Sequence, residues 1–391
     1  MTVAADRDAD FLAGIGALAD AIAAVHADDV DRSARFPVET IDALREQRAL
    51  SALVPVEYGG DGVSFEAVAT ACFELGRRCG ASAMVFAMHQ IQVATIVRHL
   101  DGSPWFEEYL RELAAGQRLI ASVTSEVGTG GDMSRSVAAL TPVAGDASRA
   151  TFEKQAPTVS YGAYADDLLV TLRANPDAGA GDQVAVLARA SDTTLEPTGT
   201  WDPLGMRGTC SPGYVVRADI AVEQVMGAPF PAISTESMVP VSHLLWAHIW
   251  LGIATDAFDR ARAFVRAAAR RAPGEPVPAA IKLSHVMTQL SLLRAEVHSA
   301  MQDWTVSEAD RERLSTMALA LRFNNLKLAA SEQSPRVCQQ AMGVCGIVGF
   351  KNDTPFSIGR HLRDSLSASL MVANERIHQT NAGLLLIAKE V

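Results

Sequence analysis

The sequence predicts a multidomain α+β protein with an N-terminal helical domain, a middle β unit and a C-terminal helical bundle. Three observations carry this. Residues 8–118 show apolar residues at helical spacing. Residues 119–228 change to short, alternating, β-branched runs. From about residue 238 long helical periodicity returns and persists. The chain has 391 residues, of which 49% are hydrophobic, so more than one core is expected. The expected domains are 1–118, 119–228 and 229–391.

Within the first domain, Thr40-Ile-Asp-Ala-Leu-Arg is amphipathic, and Pro37 and Thr40 are offered for its start. EYGGDGVSFEAVATACFELGRR holds a glycine turn and then a helix opened by Ser64 as N-cap. Two further helices are expected over 82–100 and 105–115. In the middle domain LIASVTSE, DLLVTLR (167–173), QVAVLARA (183–190) and GYVVRADIAV (213–222) read as strands. ANPDAGAGDQ between two of them is a loop. In the last domain Val286, Leu290, Leu293, Val297, Met301 and Trp304 recur at steps of three and four, one core-facing stripe of a long helix.

Composition removes several function classes. Formal net charge is −11, which argues against nucleic acid as a main partner, because phosphate neutralisation needs clustered Lys and Arg. The densest basic cluster, Arg260, Arg262, Arg266, Arg270 and Arg271, has the spacing of a solvated helix face. Five cysteines without CxxC spacing fit neither a disulfide framework nor a zinc site, and no metal centre is expected. The N-terminus MTVAADRDADF is acidic and lacks an apolar run, so no signal peptide is expected. No membrane span is expected, and the odd number of cysteines without CxxC spacing fits a reducing cytoplasm.

Three motifs stand in order along the chain: SEVGTGGD (125–132), GTWDPLGMRGTCS (199–211), and QQAMGVCG (339–346) followed by RHLRDS (360–365). With the opening stretch FPVETIDALREQRALSALVPVEYGGDGVSFE, they resemble the acyl-CoA dehydrogenase family over nearly the whole chain. The resemblance implies a β-barrel-like middle domain, a C-terminal four-helix bundle and FAD held between them. It also implies a homotetramer or homodimer in which the neighbouring subunit completes the FAD site. The substrate would be an acyl-thioester of CoA or an acyl carrier protein. Such enzymes remove an α-proton with a carboxylate while a β-hydride goes to flavin N5, and electrons leave to an electron-transfer flavoprotein.

Residue by residue, the resemblance assigns Val123, Thr124, Ser125, Gly130, Gly131 and Thr158 to the flavin. Arg270, Gln340, Gly343, Gly346 and Asn374 would complete the cofactor site, several of them across a subunit boundary. Gly131, Ser242, Val372 and Ala373 would meet substrate. Departures are visible. Ala156 replaces the aromatic that covers the flavin, and Val344 replaces a glycine. Trp201 and Arg207 read as anchors of their loop rather than as catalytic groups.

The largest departure is the base. Counting from RHLRD, the family's glutamate falls on Val372, and the alternative position on the first long bundle helix falls on Ser242. Neither can abstract a proton, and a positioned general base is worth ~10²–10⁴-fold. The candidate replacements are Glu375, one helical turn on if the helix continues, His243 beside Ser242, and His89 in FAMHQIQ. The first expectation is a dehydrogenase with a relocated base. The rivals are a flavin monooxygenase, which takes reduced flavin from a flavin reductase and needs no such base, and a non-catalytic thioester-binding subunit. His378 is the one C-terminal histidine near enough to serve an oxygenase.

Overall fold

A computed structural model describes residues 2–388, with side chains from residue 5 onward. The N-terminal part is built from α1 (Thr2–Leu18), α2 (Ala24–Ser33), α3 (Val38–Glu46), α4 (Phe65–Arg78), α5 (Gly80–Arg98) and α6 (Pro104–Gly116). Seven strands follow: β1 (Ile120–Val123), β2 (Thr141–Val143), β3 (Asp146–Ala156), β4 (Asp167–Arg173), β5 (Gln183–Arg189), β6 (Thr193–Pro197) and β7 (Tyr214–Ala221). The C-terminal part holds α7 (Phe230–Ile233), α8 (Val239–Arg271), α9 (Ala279–Thr305), α10 (Arg311–Leu314), α11 (Met317–Cys345), α12 (Ile347–Phe350), α13 (Gly359–Leu366) and α14 (Asn374–Leu385).

Local sequence explains most boundaries. Ser64 caps α4, its hydroxyl accepting from the Ala67 N–H at 3.1 Å. The start of α3 differs from expectation. Its N-cap is Pro37 with no side-chain cap, and Thr40 is instead buried, accepting a hydrogen bond from Ser82 at 3.3 Å. The stripe Val286 to Trp304 is buried along α9 as its spacing predicts. Two glycines let α4 and α8 meet backbone to backbone. A Cβ on Gly252 would lie 2.4 Å from the Phe73 carbonyl oxygen, and one on Gly76 would lie 2.8 Å from that of Ile249.

The β-barrel-like unit resolves into two sheets. One has the order β1-β4-β5, with β1 parallel to β4 and β5 antiparallel, and is largely buried. The other is antiparallel, in the order β2-β3-β7-β6. Strands β2 and β6 escape the sequence reading because they are short and mostly exposed, which leaves little apolar alternation.

The loop Trp201–Thr209 docks on both helical parts. The Met206 N–H donates to Asp364 at 2.7 Å. Arg207 reaches the Asp31 carbonyl at 2.8 Å and Asp202 at 2.7 Å, while the Trp201 indole donates to the Arg207 carbonyl at 3.1 Å. Both residues are loop anchors, as the sequence suggests. The arginine cluster sits on the last turns of α8, with Arg260 paired to Asp256 and Arg262 to Asp259.

The expectation about membrane spans needs correction. Three helical stretches, Ala5–Ser33, Gly80–Arg98 and Phe230–Arg271, are long and apolar enough to cross a membrane by length and composition. In the latter two, 89% of the apolar window is buried inside the protein, so their hydrophobicity serves the core; for the first the figure is 22%.

Candidate functional site

Strand β1 ends at buried Val123, and Thr124 and Ser125 emerge half-buried from it. The Ser125 hydroxyl donates to the Thr158 carbonyl at 2.6 Å. This joins the end of β1 to the turn after β3, where Thr158 is exposed. Thr158 lies beyond the strand, because β3 stops at Ala156.

The adjoining loop is held from behind. Glu126 is buried and accepts from the N–H groups of Val137 at 3.0 Å and Ala138 at 2.5 Å. Buried Lys154 lies 3.6 Å from Glu126 and donates to the Thr171 carbonyl at 2.6 Å. Burial pulls the Lys154 ammonium down to about 8, opposed by Glu126. Gly130 and Gly131 follow with φ of 60° and 83°, a conformation that glycine adopts without penalty. Arg376, in the first turn of α14, donates to the Gly130 carbonyl. One edge therefore gathers Val123, Thr124, Ser125, Gly130, Gly131 and Thr158 beside the 372–376 segment. Its hydroxyls and backbone groups, with the Glu126 carboxylate turned inward onto Lys154 and two backbone N–H groups, suit the polar rim of a flavin ring.

The expected base positions look different in three dimensions. Helix α13 stops at Leu366, a short 3-10 turn spans Ser367–Ser369, and α14 begins only at Asn374. The helix therefore does not continue through Val372, and the one-turn relation to Glu375 is lost. Glu375 is exposed. Val372 has φ 49°, a left-handed conformation that is strained for a β-branched residue.

His89 is fully buried and both ring nitrogens are engaged. Nδ1 accepts from the Ile120 N–H at 3.0 Å, and Nε2 donates to the Leu50 carbonyl at 2.7 Å. Desolvation lowers its pKa to about 4. Neither nitrogen is free to take a substrate proton. His243 is buried too, bonded through Nδ1 to the Phe323 carbonyl at 3.2 Å and stacked obliquely near Trp246. Burial, reinforced by the nearby Lys327 charge, lowers it to about 3. Ser242 spends its hydroxyl on the Val239 carbonyl at 2.8 Å. His378 is exposed on α14.

Asn374 is buried, and its Oδ1 accepts from Lys327 at 2.6 Å and Ser331 at 3.2 Å, leaving only its amide N–H groups for a ligand. Ala373 is half-buried beside it. Arg270 stands exposed at the end of α8, and Gln340, Gly343 and Gly346 stand exposed at the end of α11. A Cβ on Gly343 or Gly346 would meet nothing within 4 Å. These four do not join the β1 edge within one chain.

Sequence reasoning missed Lys327. It is fully buried on α11 and donates to the Val372 carbonyl at 2.8 Å as well as to Asn374. It makes no salt bridge among the described residues, and burial lowers it to about 8. A signal was present: Phe323, Lys327, Ala330, Ser334, Val337 and Ala341 fall on one buried face of α11, with the lysine in register.

Two family models match the chain. "Acyl-CoA dehydrogenase, N-terminal domain" covers residues 6–117, and "Acyl-CoA dehydrogenase, C-terminal domain" covers residues 236–378. The chain belongs to the acyl-CoA dehydrogenase family. A flavin is this family's cofactor, in keeping with the expectation. Among curated relatives, a probable acyl-CoA dehydrogenase of Bacillus subtilis is 25% identical, with 88% of each chain covered. An amino sugar nitrososynthase of Streptomyces peucetius is 27% identical, covering 88% of this chain and 84% of the relative. Among solved structures, FMN-bound TdsC of Paenibacillus sp. A11-2, a dibenzothiophene monooxygenase, superposes with a TM-score of 0.79 at 20% identity over 96% of this chain and 97% of its own. The family thus includes relatives on both sides of the reaction question.

Proposed function

We propose that this protein is a flavin-dependent monooxygenase on the acyl-CoA dehydrogenase fold. One observation carries the reading. Where α-proton abstraction needs a carboxylate, the chain has Val372, whose carbonyl oxygen accepts from the buried Lys327 ammonium. A charged ammonium is itself no base and offers no acceptor for a substrate proton. The relocated bases fare no better: His89 has both nitrogens bonded, His243 is buried with a depressed pKa, and Glu375 is exposed beyond a broken helix.

The flavin, FAD by resemblance, supplies when reduced the electrons that activate O₂. The protein's own part is to hold the ring edge with Thr124, Ser125 and Thr158, and to keep the 125–132 loop rigid through Glu126 and Lys154. A flavin reductase is the matching electron source. A homotetramer or homodimer would cover the exposed face of Gln340, Gly343 and Gly346. The dehydrogenase reading, with a CoA or acyl carrier protein thioester and an electron-transfer flavoprotein, makes the opposite prediction in one assay. Under anaerobic conditions a panel of acyl-CoAs and acyl carrier protein thioesters should leave the protein-bound flavin oxidised. Bleaching by any of them would overturn the monooxygenase reading.

A further inference from the structure

A cavity of about 510 Å³ opens where α2, the Trp201–Thr209 loop and the start of α13 meet. Its volume lies in the range of small-molecule pockets. It shares no lining residue with the β1 edge. Four arginines face it, Arg32, Arg207, Arg360 and Arg363, against three aspartates, in a chain whose net charge is −11. Most of these charges are spent on one another. Arg363 clasps Asp31 through both terminal nitrogens, and Arg207 pairs with Asp202 at 2.7 Å.

Arg360 is different. Its side chain is only 11% exposed, yet it gives Asp28 a single bond, from Nε at 3.2 Å, and Asp28 itself stands largely in solvent. Nη1 and Nη2 of Arg360 have no acceptor among the described residues. The other carboxylates that act on this guanidinium are committed. Asp364 accepts the Met206 N–H, and Asp256 accepts from His361 and Arg260. Buried charges are ordinarily paired, and the free end of a guanidinium fork matches two oxygens of one oxyanion. Arg32, in the last turn of α2, is exposed and makes no salt bridge among the described residues. Asn352 and Ser357 add neutral donors to the lining.

We infer that this cavity binds a small phosphorylated molecule, its phosphate seated on the free end of the Arg360 fork with Arg32 as the second cation. A phosphate monoester fits the lining better than a carboxylate does. Its three terminal oxygens can serve Arg360, Arg32 and a neutral donor together, whereas a carboxylate has two. Occupancy ties α2 to α13, adding a ligand to the clasp that Asp31 and Arg363 already make between them. The inference stands whichever reaction the flavin performs.

The test is calorimetric titration of the flavin-loaded protein at low salt with inorganic phosphate, glycerol 3-phosphate and acetate. Both phosphates should saturate a site and bind at least ~10-fold more tightly than acetate, the worth of one further charge-assisted hydrogen bond. Arg32→Ala and Arg360→Lys should each weaken phosphate binding ~10-fold or more, the first by removing a cation and the second by replacing a planar fork with a point charge. Arg149→Ala, which breaks an exposed pair with Asp219 on the β-sheet, should leave phosphate affinity unchanged. Absence of saturable phosphate binding would overturn the inference, as would acetate binding as tightly as phosphate. So would a phosphate affinity unmoved by Arg32→Ala, or one lowered equally by Arg149→Ala. Arg32 is exposed and unpaired among the described residues, so its variant decides the matter even if Arg360→Lys fails to fold.

Discussion

The imidazole Nδ1 of His89 accepts a hydrogen bond from the Ile120 N–H at 3.0 Å, on the strand that delivers Thr124 and Ser125 to the site. Nε2 is fixed on the Leu50 carbonyl, so the ring is a bolt between α5, the segment around Leu50, and β1. His89→Ala leaves the buried Ile120 N–H unpaired, takes one of two donors from the Leu50 carbonyl and opens a cavity, a loss of about 3 kcal/mol. Thermal melts should show the loss. Activity per folded, flavin-loaded molecule should stay within a few-fold of the parent, whereas a catalytic His89 would cost the ~10²–10⁴-fold typical of a general base.

Acid should destabilise the fold well above the carboxylate range. His89, His99 and His248 are lowered to about 4, and His243 to about 3, mainly by desolvation. The folded state keeps these rings neutral, while the unfolded chain protonates them near pH 6.5. Each group's contribution is full above about pH 6.5 and is lost as pH falls toward its folded value, at about 1.4 kcal/mol per pH unit. Urea melts at pH 7, 6 and 5 should show a progressively falling midpoint. A constant midpoint over that range would show that these rings are not held neutral.

Lys154→Met removes one partner of a buried pair and leaves Glu126 charged beside Val137 and Ala138. Breaking such a pair costs about 3–5 kcal/mol. Because Glu126 adjoins Ser125, flavin retention should fall together with stability. Fluorescence titration of the apoprotein with flavin checks this, and unchanged flavin affinity would detach the pair from the site.

Gly205 carries the docking of the Trp201–Thr209 loop onto α13. A Cβ there would lie 2.1 Å from the Arg363 carbonyl oxygen, a backbone atom that cannot turn aside. Gly205→Ala should cost about 1–3 kcal/mol through overpacking and weaken the Met206–Asp364 bond. A melting temperature equal to the parent's would contradict this packing.

The layering of the chain was legible because its signals are periodic: the α9 stripe and the continuous apolar runs of β4 and β5 need nothing beyond burial to explain them. The grouping of Ser125, Gly130 and Thr158 was anticipated only through the family resemblance, since a glycine loop after a strand is by itself a common turn pattern. What stayed hidden is non-local or conformational. Nothing in RDSLSASLMVANERI announces that its helix breaks at Ser367 and that Val372 turns left-handed. Helix propensity cannot register a carbonyl held by a lysine 45 residues upstream. The two histidines near the site looked reactive because sequence does not show that Ile120, Leu50 and Phe323 already hold their nitrogens.

The central claim is that no base acts at residue 372 and that reduced flavin and O₂ drive the chemistry. It is tested most directly by anaerobic addition of acyl-CoAs and acyl carrier protein thioesters to the flavin-loaded protein, followed at the flavin's visible absorption. The account predicts a spectrum that stays oxidised throughout. Bleaching on addition of any of these thioesters would contradict it and return the search to a base in this site.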